Sequence, residues 1–126
     1  MEIDMANNNT RAIGTEGEQK SVEFLIENGY AILKLNYRVG RIGEIDIIAR
    51  EGEYICFIEV KTRKSYSFGV PSESVTFKKQ EKIKLLASIY LTNTGNIDKR
   101  IRFDIVEVLM KNNNDINKIN LIKNAF

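Results

Sequence analysis

Two periods of apolar residues alternate along this chain, and the switches between them mark out its elements. Val22, Leu25 and Ile26 fall at helical spacing and Gly29 ends the run, which predicts a helix from about Ile13 to Asn28. Tyr30 to Arg38 follows as a first strand, and Gly40 and Gly43 bracket a turn. The runs beginning at Gly43 and Tyr54 are strongly β-forming, and Glu51-Gly52-Glu53-Tyr54 between them has the make-up of a hairpin turn. Tyr54-Ile55-Cys56-Phe57-Ile58 is apolar on both faces and so reads as a central strand. After a loop holding the only proline, Pro71, a second helix is expected from near Thr76 to Leu91 or Thr92, with Ile83, Leu86, Ala87, Tyr90 and Leu91 as its buried stripe. Asn93 to Lys99 is a polar turn, and Ile101 to Val108 alternates as a fourth strand. Lys111 to Asn117 reads as an Asn-rich loop, with a short edge strand near Ile119 to Ile122. The order helix, three strands, helix, strand predicts an α/β sandwich with the hairpin near its centre.

Composition narrows the chemistry more than the fold. At 126 residues, 43% hydrophobic and 29% charged, the chain has the size and balance of one globular domain. Residues 1 to about 10, with Asn7-Asn8-Asn9, read as a frayed tail, leaving 11–126 as the domain. With neither a membrane-length apolar run nor a charged-then-apolar leader, a cytoplasmic protein that does not span a membrane is expected. Cys56 is the single cysteine and lies in an apolar strand, so an inert core thiol is expected. The absence of histidine removes imidazole bases, Ser-His-acid and Cys-His nucleophiles, and histidine zinc sites together. Hydrolysis would have to run on carboxylates, lysine and a hard metal. A net charge of +2 excludes a strongly basic nucleic-acid wrapper but leaves local phosphate contacts open.

The carboxylates are present where they are costly. Glu44 and Asp46 lie in the first strand of the hairpin, and Glu59 and Lys61 in the second. An unpaired buried carboxylate costs several kcal/mol or more, so charges in such strands need a partner, a hydrogen-bond network or a cation. A two-residue turn with Gly52 at positive φ, or a four-residue loop over the same stretch, sets Asp46 opposite Glu59 and Glu44 opposite Lys61, and the period of two then brings all four to one patch, whereas a three-residue turn would scatter them. Opposed like charges are destabilising, so this register makes sense mainly with a cation between the carboxylates. In the plain alternative, Glu59 and Lys61 are the solvated face of an edge strand, a reading the apolar second strand argues against.

Other side chains could support such a site. Glu18 stands one helical turn before Val22, where it could reach the carboxylates, but Thr15-Glu16-Gly17-Glu18 also fits a capping box. Lys79 and Gln80 continue the inward stripe of the second helix to its start, well placed for a phosphate or an attacking water. Lys78, Lys82 and Lys84 are expected on a solvated face. Arg63 and Lys64 serve equally well as phosphate contacts or solvated cations, and Arg38, Tyr37, Tyr66 and Phe68 flank the patch in sequence. Arg102 and Asp104 share a strand face, which a surface ion pair explains.

Several ordered segments carry a resemblance: Gly14-x-x-Gly17-Glu18, Asn36-Tyr37-Arg38, Gly43-Glu44-Ile45-Asp46, Glu59-Val60-Lys61-x-Arg63, Phe68-Gly69-x-Pro71-x-Glu73, Lys79-Gln80, Arg102-Phe103-Asp104 and the closing Asn124-Ala125-Phe126. From about residue 11 onward the chain resembles the YraN family of uncharacterised bacterial proteins. That family is in turn similar to the restriction-endonuclease-like PD-(D/E)XK nucleases, especially archaeal Holliday-junction resolvases. The resemblance implies an αβββαβ core, a mixed central sheet flanked by helices, and a Mg²⁺-dependent (or Mn²⁺-dependent) phosphodiesterase site. It makes Asp46 and Glu59 the metal ligands, Lys61 the charge that steers the attacking water, and Glu18 the helix-one glutamate of the resolvase branch. Ile45 stands where many members of the superfamily have proline, a residue that is no ligand. The implied partner is nucleic acid, DNA before RNA and branched forms included, and a homodimer is compatible with it. The competing functions are a module that binds nucleic acid on the same fold without cutting and a protein-interaction domain.

Overall fold

A computed structural model describes residues 16–64, 75–111 and 115–126, with the side chains of Lys64 and Asn117 left aside. The expected tail, the Thr15 end of the capping box, Tyr66, Phe68 and the proline loop lie outside the described residues.

Among the described residues, seven elements follow in chain order: α1 (Glu16–Glu27), β1 (Ala31–Val39), β2 (Gly43–Glu51), β3 (Tyr54–Lys64), α2 (Phe77–Asn93), β4 (Arg100–Met110) and β5 (Ile116–Ile122). The strands form one mixed sheet in the order β1-β2-β3-β4-β5, parallel between β3 and β4 and antiparallel elsewhere. β3 is thus central, as its two apolar faces require. Glu51 pairs with Tyr54, so the hairpin loop is the two residues Gly52-Glu53. Gly52 takes φ 61°, which a side chain would resist.

Two apolar layers hold the helices on opposite faces. Val22 and Leu25 of α1 pack with Ile32, Ile47, Cys56, Ile58, Val106 and Val108. Ile83, Leu86, Ala87 and Leu91 of α2 pack with Ile48, Ile55, Phe57 and Ile105 on the other side. α1 stops in a Schellman pattern: the N–H of Tyr30 donates to Leu25 O at 2.9 Å and that of Gly29 to Ile26 O at 3.1 Å. Since β1 then starts opposite Arg50, near the hairpin turn, α1 begins toward the far end of the sheet. α2 starts from that same far end, where β3 finishes, and returns the chain to β4. The N-termini of both helices, with their partial positive charge, therefore lie toward the end of the sheet that holds Asp46 and Glu59.

Two expectations need correction. The edge strand begins at Ile116 rather than near Ile119, because the outer edge of β4 offers hydrogen-bonding groups as far as Met110, which pairs with Ile116. Asp104 is no surface residue: it is fully buried. Its carboxylate accepts hydrogen bonds from the Tyr30 hydroxyl at 3.1 Å, Arg102 Nε at 3.0 Å and the Asn124 N–H at 2.9 Å. Past Asn124 the closing residues continue on the α2 face, with the Ala125 N–H donating to Phe103 O at 2.7 Å and Phe126 stacked on Phe103 at 5.3 Å.

Candidate functional site

Asp46 sits where the β2–β3 ladder stops. The last pair is Ile47 with Ile58, and two residues beyond Ile58 the Val60 N–H donates to the Asp46 side chain, at 2.8 Å from Oδ2. The neighbouring strand is irregular at the same level, with Asn36 at φ 52°. Strict alternation also fails here, for Ile45 and Ile48 pack together in the α2 layer while Ile47 packs in the α1 layer. The expected pairing of Glu44 with Lys61 is therefore absent: Glu44 instead accepts from Arg38 at 2.9 Å, its registered neighbour on β1. A side chain that caps a strand N–H ends the ladder, and beyond it the strands no longer dictate which residues face each other.

Burial first, and then the charge of Glu59, push the Asp46 carboxyl up to about 7, against the lowering effect of the Val60 hydrogen bond; Glu18 and Glu44 push in the same direction as Glu59. Glu18, on α1, and Glu59, on the neighbouring strand β3, thus both act on Asp46. Glu59 itself is buried, and on the α2 side it meets two ammonium groups, Lys79 Nζ at 2.6 Å and Lys61 Nζ at 3.9 Å. The Glu59 hydrogen bond holds Lys79 more firmly in its charged form than an ordinary lysine.

The remaining residues expected at the site divide. Gln80 Nε2 donates to Val75 O at 3.0 Å, bracing the entry to α2. Arg63 turns to β4, where its Nε makes an ion pair with the buried carboxylate of Glu107. Arg38 is two-thirds exposed at 65% and engages Glu44. Lys64 closes β3, and its side chain lies outside the described residues. A cleft of about 480 Å³ opens between the start of β2 and the first turns of α2, lined among others by Gly43, Glu44, Asp46, Thr76, Lys79 and Ile83.

Lys78 and Lys82 are exposed, as the helical pattern predicts, and they line this cleft too. The signal was present but weak: α2 carries Lys78, Lys79, Lys82 and Lys84 with no acid in its first turn, a poor match to the helix dipole. Glu107 was missed outright, because an alternating strand pattern does not reveal which acid is buried.

Magnesium is the metal implied by the resemblance, and the donor chemistry fits it. Asp46 and Glu59 offer only hard carboxylate oxygens, and the upward shift at Asp46 marks a carboxylate pair that a cation would relieve. No group of three or more acid, cysteine or histidine side chains is arranged to cage a metal among the described residues. Magnesium needs no such cage, since it keeps several waters and takes one or two carboxylates.

The profile of the Uncharacterised protein family UPF0102 matches residues 17–108, which takes in both helices and the first four strands up to Val108. The chain is a member of UPF0102. A UPF0102 protein of Acetivibrio thermocellus is 52% identical over 122 residues, covering 94% of each chain. One from Caldicellulosiruptor bescii is 52% identical over 119 residues, covering 94% of this chain and 99% of the relative. A third, from Dictyoglomus turgidum, is 45% identical over 118 residues with the same coverage. UPF0102 is the family that the ordered segments from Gly14 to Phe126 pointed to under the name YraN. Among the described residues of this UPF0102 chain, no helix is long and apolar enough to cross a membrane.

Proposed function

We propose that this UPF0102 protein is a metal-dependent endonuclease that hydrolyses phosphodiester bonds of nucleic acid, DNA in the first place and branched DNA included. The observation that carries the reading is the Asp46–Glu59 pair: two acids on adjacent strands, one buried and the other raised to about 7 chiefly by burial and by its partner's charge, with Lys61 beside them. A divalent magnesium or manganese ion would be held by these two carboxylates and would supply Lewis-acid activation of the phosphate and of a water.

The protein's own groups account for the rest. The Val60 N–H fixes Asp46 Oδ2, so that carboxylate is oriented before any ligand arrives. Lys61 has a side chain 24% exposed, and its Nζ stands 3.9 Å from Glu59. Its ammonium is suited to stabilise charge developing on the phosphate and to position the attacking water. Glu18 bears on Asp46 from α1, consistent with the helix-one glutamate of the resolvase-like branch. A module that only bound phosphates would gain nothing from these acids, since they repel its ligand.

The test is to incubate purified protein with linear, flapped and four-way-junction DNA and with RNA, in Mg²⁺, in Mn²⁺ and in chelator. Metal-dependent cleavage that Asp46→Asn loses supports the reading. Binding without cleavage of any substrate in either metal transfers the protein to the non-cutting alternative.

A further inference from the structure

Lys79 is the unusual member of the site. Its ammonium lies closer to Glu59 than that of Lys61 does, 2.6 Å against 3.9 Å, although Lys61 is on the same strand as Glu59 and Lys79 comes from another layer. The two partners also differ in burial: the Glu59 side chain is 6% exposed and that of Lys79 44%. One end of this ion pair is fixed in the sheet and the other is a flexible lysine at the mouth of a cleft. The same lysine lines the cleft together with Thr76, Lys78 and Lys82. Its backbone N–H donates to the Thr76 hydroxyl at 3.2 Å, so the first turn of α2 is capped and its main chain need not move when the side chain does.

Resting on the nuclease reading above, we propose that Lys79 is an internal counter-cation of Glu59 that a divalent metal displaces, and that the displaced ammonium swings into the cleft to contact the phosphate backbone of the nucleic acid. Glu59 cannot give the same carboxylate oxygen to both cations at full strength. While Lys79 holds it, Glu59 is neutralised without a metal. Once a metal holds it, Lys79 becomes a third ammonium in a cleft already lined by Lys78 and Lys82. Metal loading and polyanion binding are thereby linked through one side chain, and linkage requires that each strengthen the other by the same factor. The device would keep a metal-free site closed to divalent ions present at low concentration and raise its demand for metal until nucleic acid is at hand to accept Lys79.

The experiment measures Mn²⁺ binding by calorimetry, and binding of a short labelled DNA duplex with and without Ca²⁺, in wild-type protein, Lys79→Gln, Lys79→Arg and Lys82→Gln. Without DNA, Lys79→Gln should bind Mn²⁺ more tightly than wild type by about fivefold or more, the lower end of ordinary coupling between sites. Lys79→Arg keeps a cation on Glu59 and should bind Mn²⁺ no better than wild type. Lys82→Gln removes one positive charge from the same cleft without touching Glu59, and should move Mn²⁺ affinity much less. The gain in duplex affinity that Ca²⁺ gives wild type should shrink in Lys79→Gln. If wild type binds Mn²⁺ in a manner that Asp46→Asn abolishes, yet Lys79→Gln binds it no more tightly, or Lys82→Gln gains as much, displacement is overturned and the nuclease reading stands. If neither wild type nor Lys79→Gln binds Mn²⁺, both are overturned.

Discussion

The most consequential residue in the chain is Asp46, because its environment works against its charge. In the unfolded chain an aspartate loses its proton near the ordinary value of 3.8, whereas in the folded protein Asp46 holds it to about 7. A folded pKa above the unfolded one contributes stability that is fully present below the lower value and is lost as pH rises through the higher. Metal-free Asp46→Asn should therefore be more stable than wild type at about pH 8, by roughly 2–4 kcal/mol, with the gap closing toward about pH 4. The amide oxygen still accepts from Val60, so the hydrogen bond is kept. Denaturation followed by circular dichroism across that range is the check, and a gap that widened toward acid would refute it. Lys61 is the complementary case. Lys61→Ala opens no apolar cavity and should fold normally, while a lost electrostatic contact in the transition state is typically worth about 3–4 kcal/mol. Cleavage should fall on the order of a hundredfold or more, with duplex affinity reduced by about one phosphate contact, read as a slightly shallower salt dependence. Equal losses in both would place Lys61 in binding alone.

At the scale of elements, much was legible because local signals agreed. Gly52 between two β-forming runs gave the hairpin, the run Tyr54–Ile58, apolar on both faces, gave the central position of β3, and the stripe from Ile83 to Leu91 gave α2 and its buried face. The same signals did not extend past Ile47, because strand alternation presumes a continuous ladder and Asp46 ends it with its own side chain. The convergence of Asp46, Glu59 and Lys61 could be anticipated, but the partners of Glu44 and Glu59 could not. Thr76 shows how an element terminus supports the site. Its hydroxyl accepts from the Lys79 N–H, and the Gln80 N–H donates to Thr76 O at 2.8 Å, closing the first turn from which Lys79 projects. Thr76→Ala should cost about 1 kcal/mol of stability through loss of the cap. It should also loosen the Lys79–Glu59 contact, which ¹⁵N relaxation at Lys79 and Gln80 would register. Unchanged stability and dynamics would mean that the turn is held by tertiary packing alone.

Across the whole molecule, the decisive polar contacts join segments far apart in sequence, which is why sequence patterns could not supply them. Asp104 on β4 gathers Tyr30 from just before β1, Arg102 from its own strand and Asn124 from the C-terminal segment. Arg102 in turn reaches Glu51 at 2.7 Å, and Glu51 accepts from Lys123 Nζ at 2.8 Å. Read from the chain alone, Arg102 and Asp104 are merely alternate residues of an exposed-looking strand; their partners Tyr30 and Asn124 are not near them in sequence. Hydrogen bonds from Lys123 and then Arg102 hold the Glu51 carboxyl below its ordinary value. That contribution is present above the unfolded carboxylate value and is lost as pH falls through the depressed one. Asp104→Ala should be far more damaging. It leaves the Arg102 guanidinium, only 13% exposed, without its fully buried counter-charge, and leaves the Tyr30 hydroxyl and the Asn124 N–H without their acceptor. Breaking one partner of a buried pair typically costs about 3–5 kcal/mol. Asp104→Asn, which keeps an acceptor oxygen, should lose less. Because the chain has no tryptophan, urea denaturation followed by circular dichroism is the suitable readout. Glu59 faces the α2 layer whereas Asp104 and Tyr30 lie on the α1 side, so Mn²⁺ affinity of the folded variant should match wild type. A stable Asp104→Ala protein would show that the network is dispensable to the fold, and a stable one with altered Mn²⁺ affinity would show that the two faces of the sheet communicate.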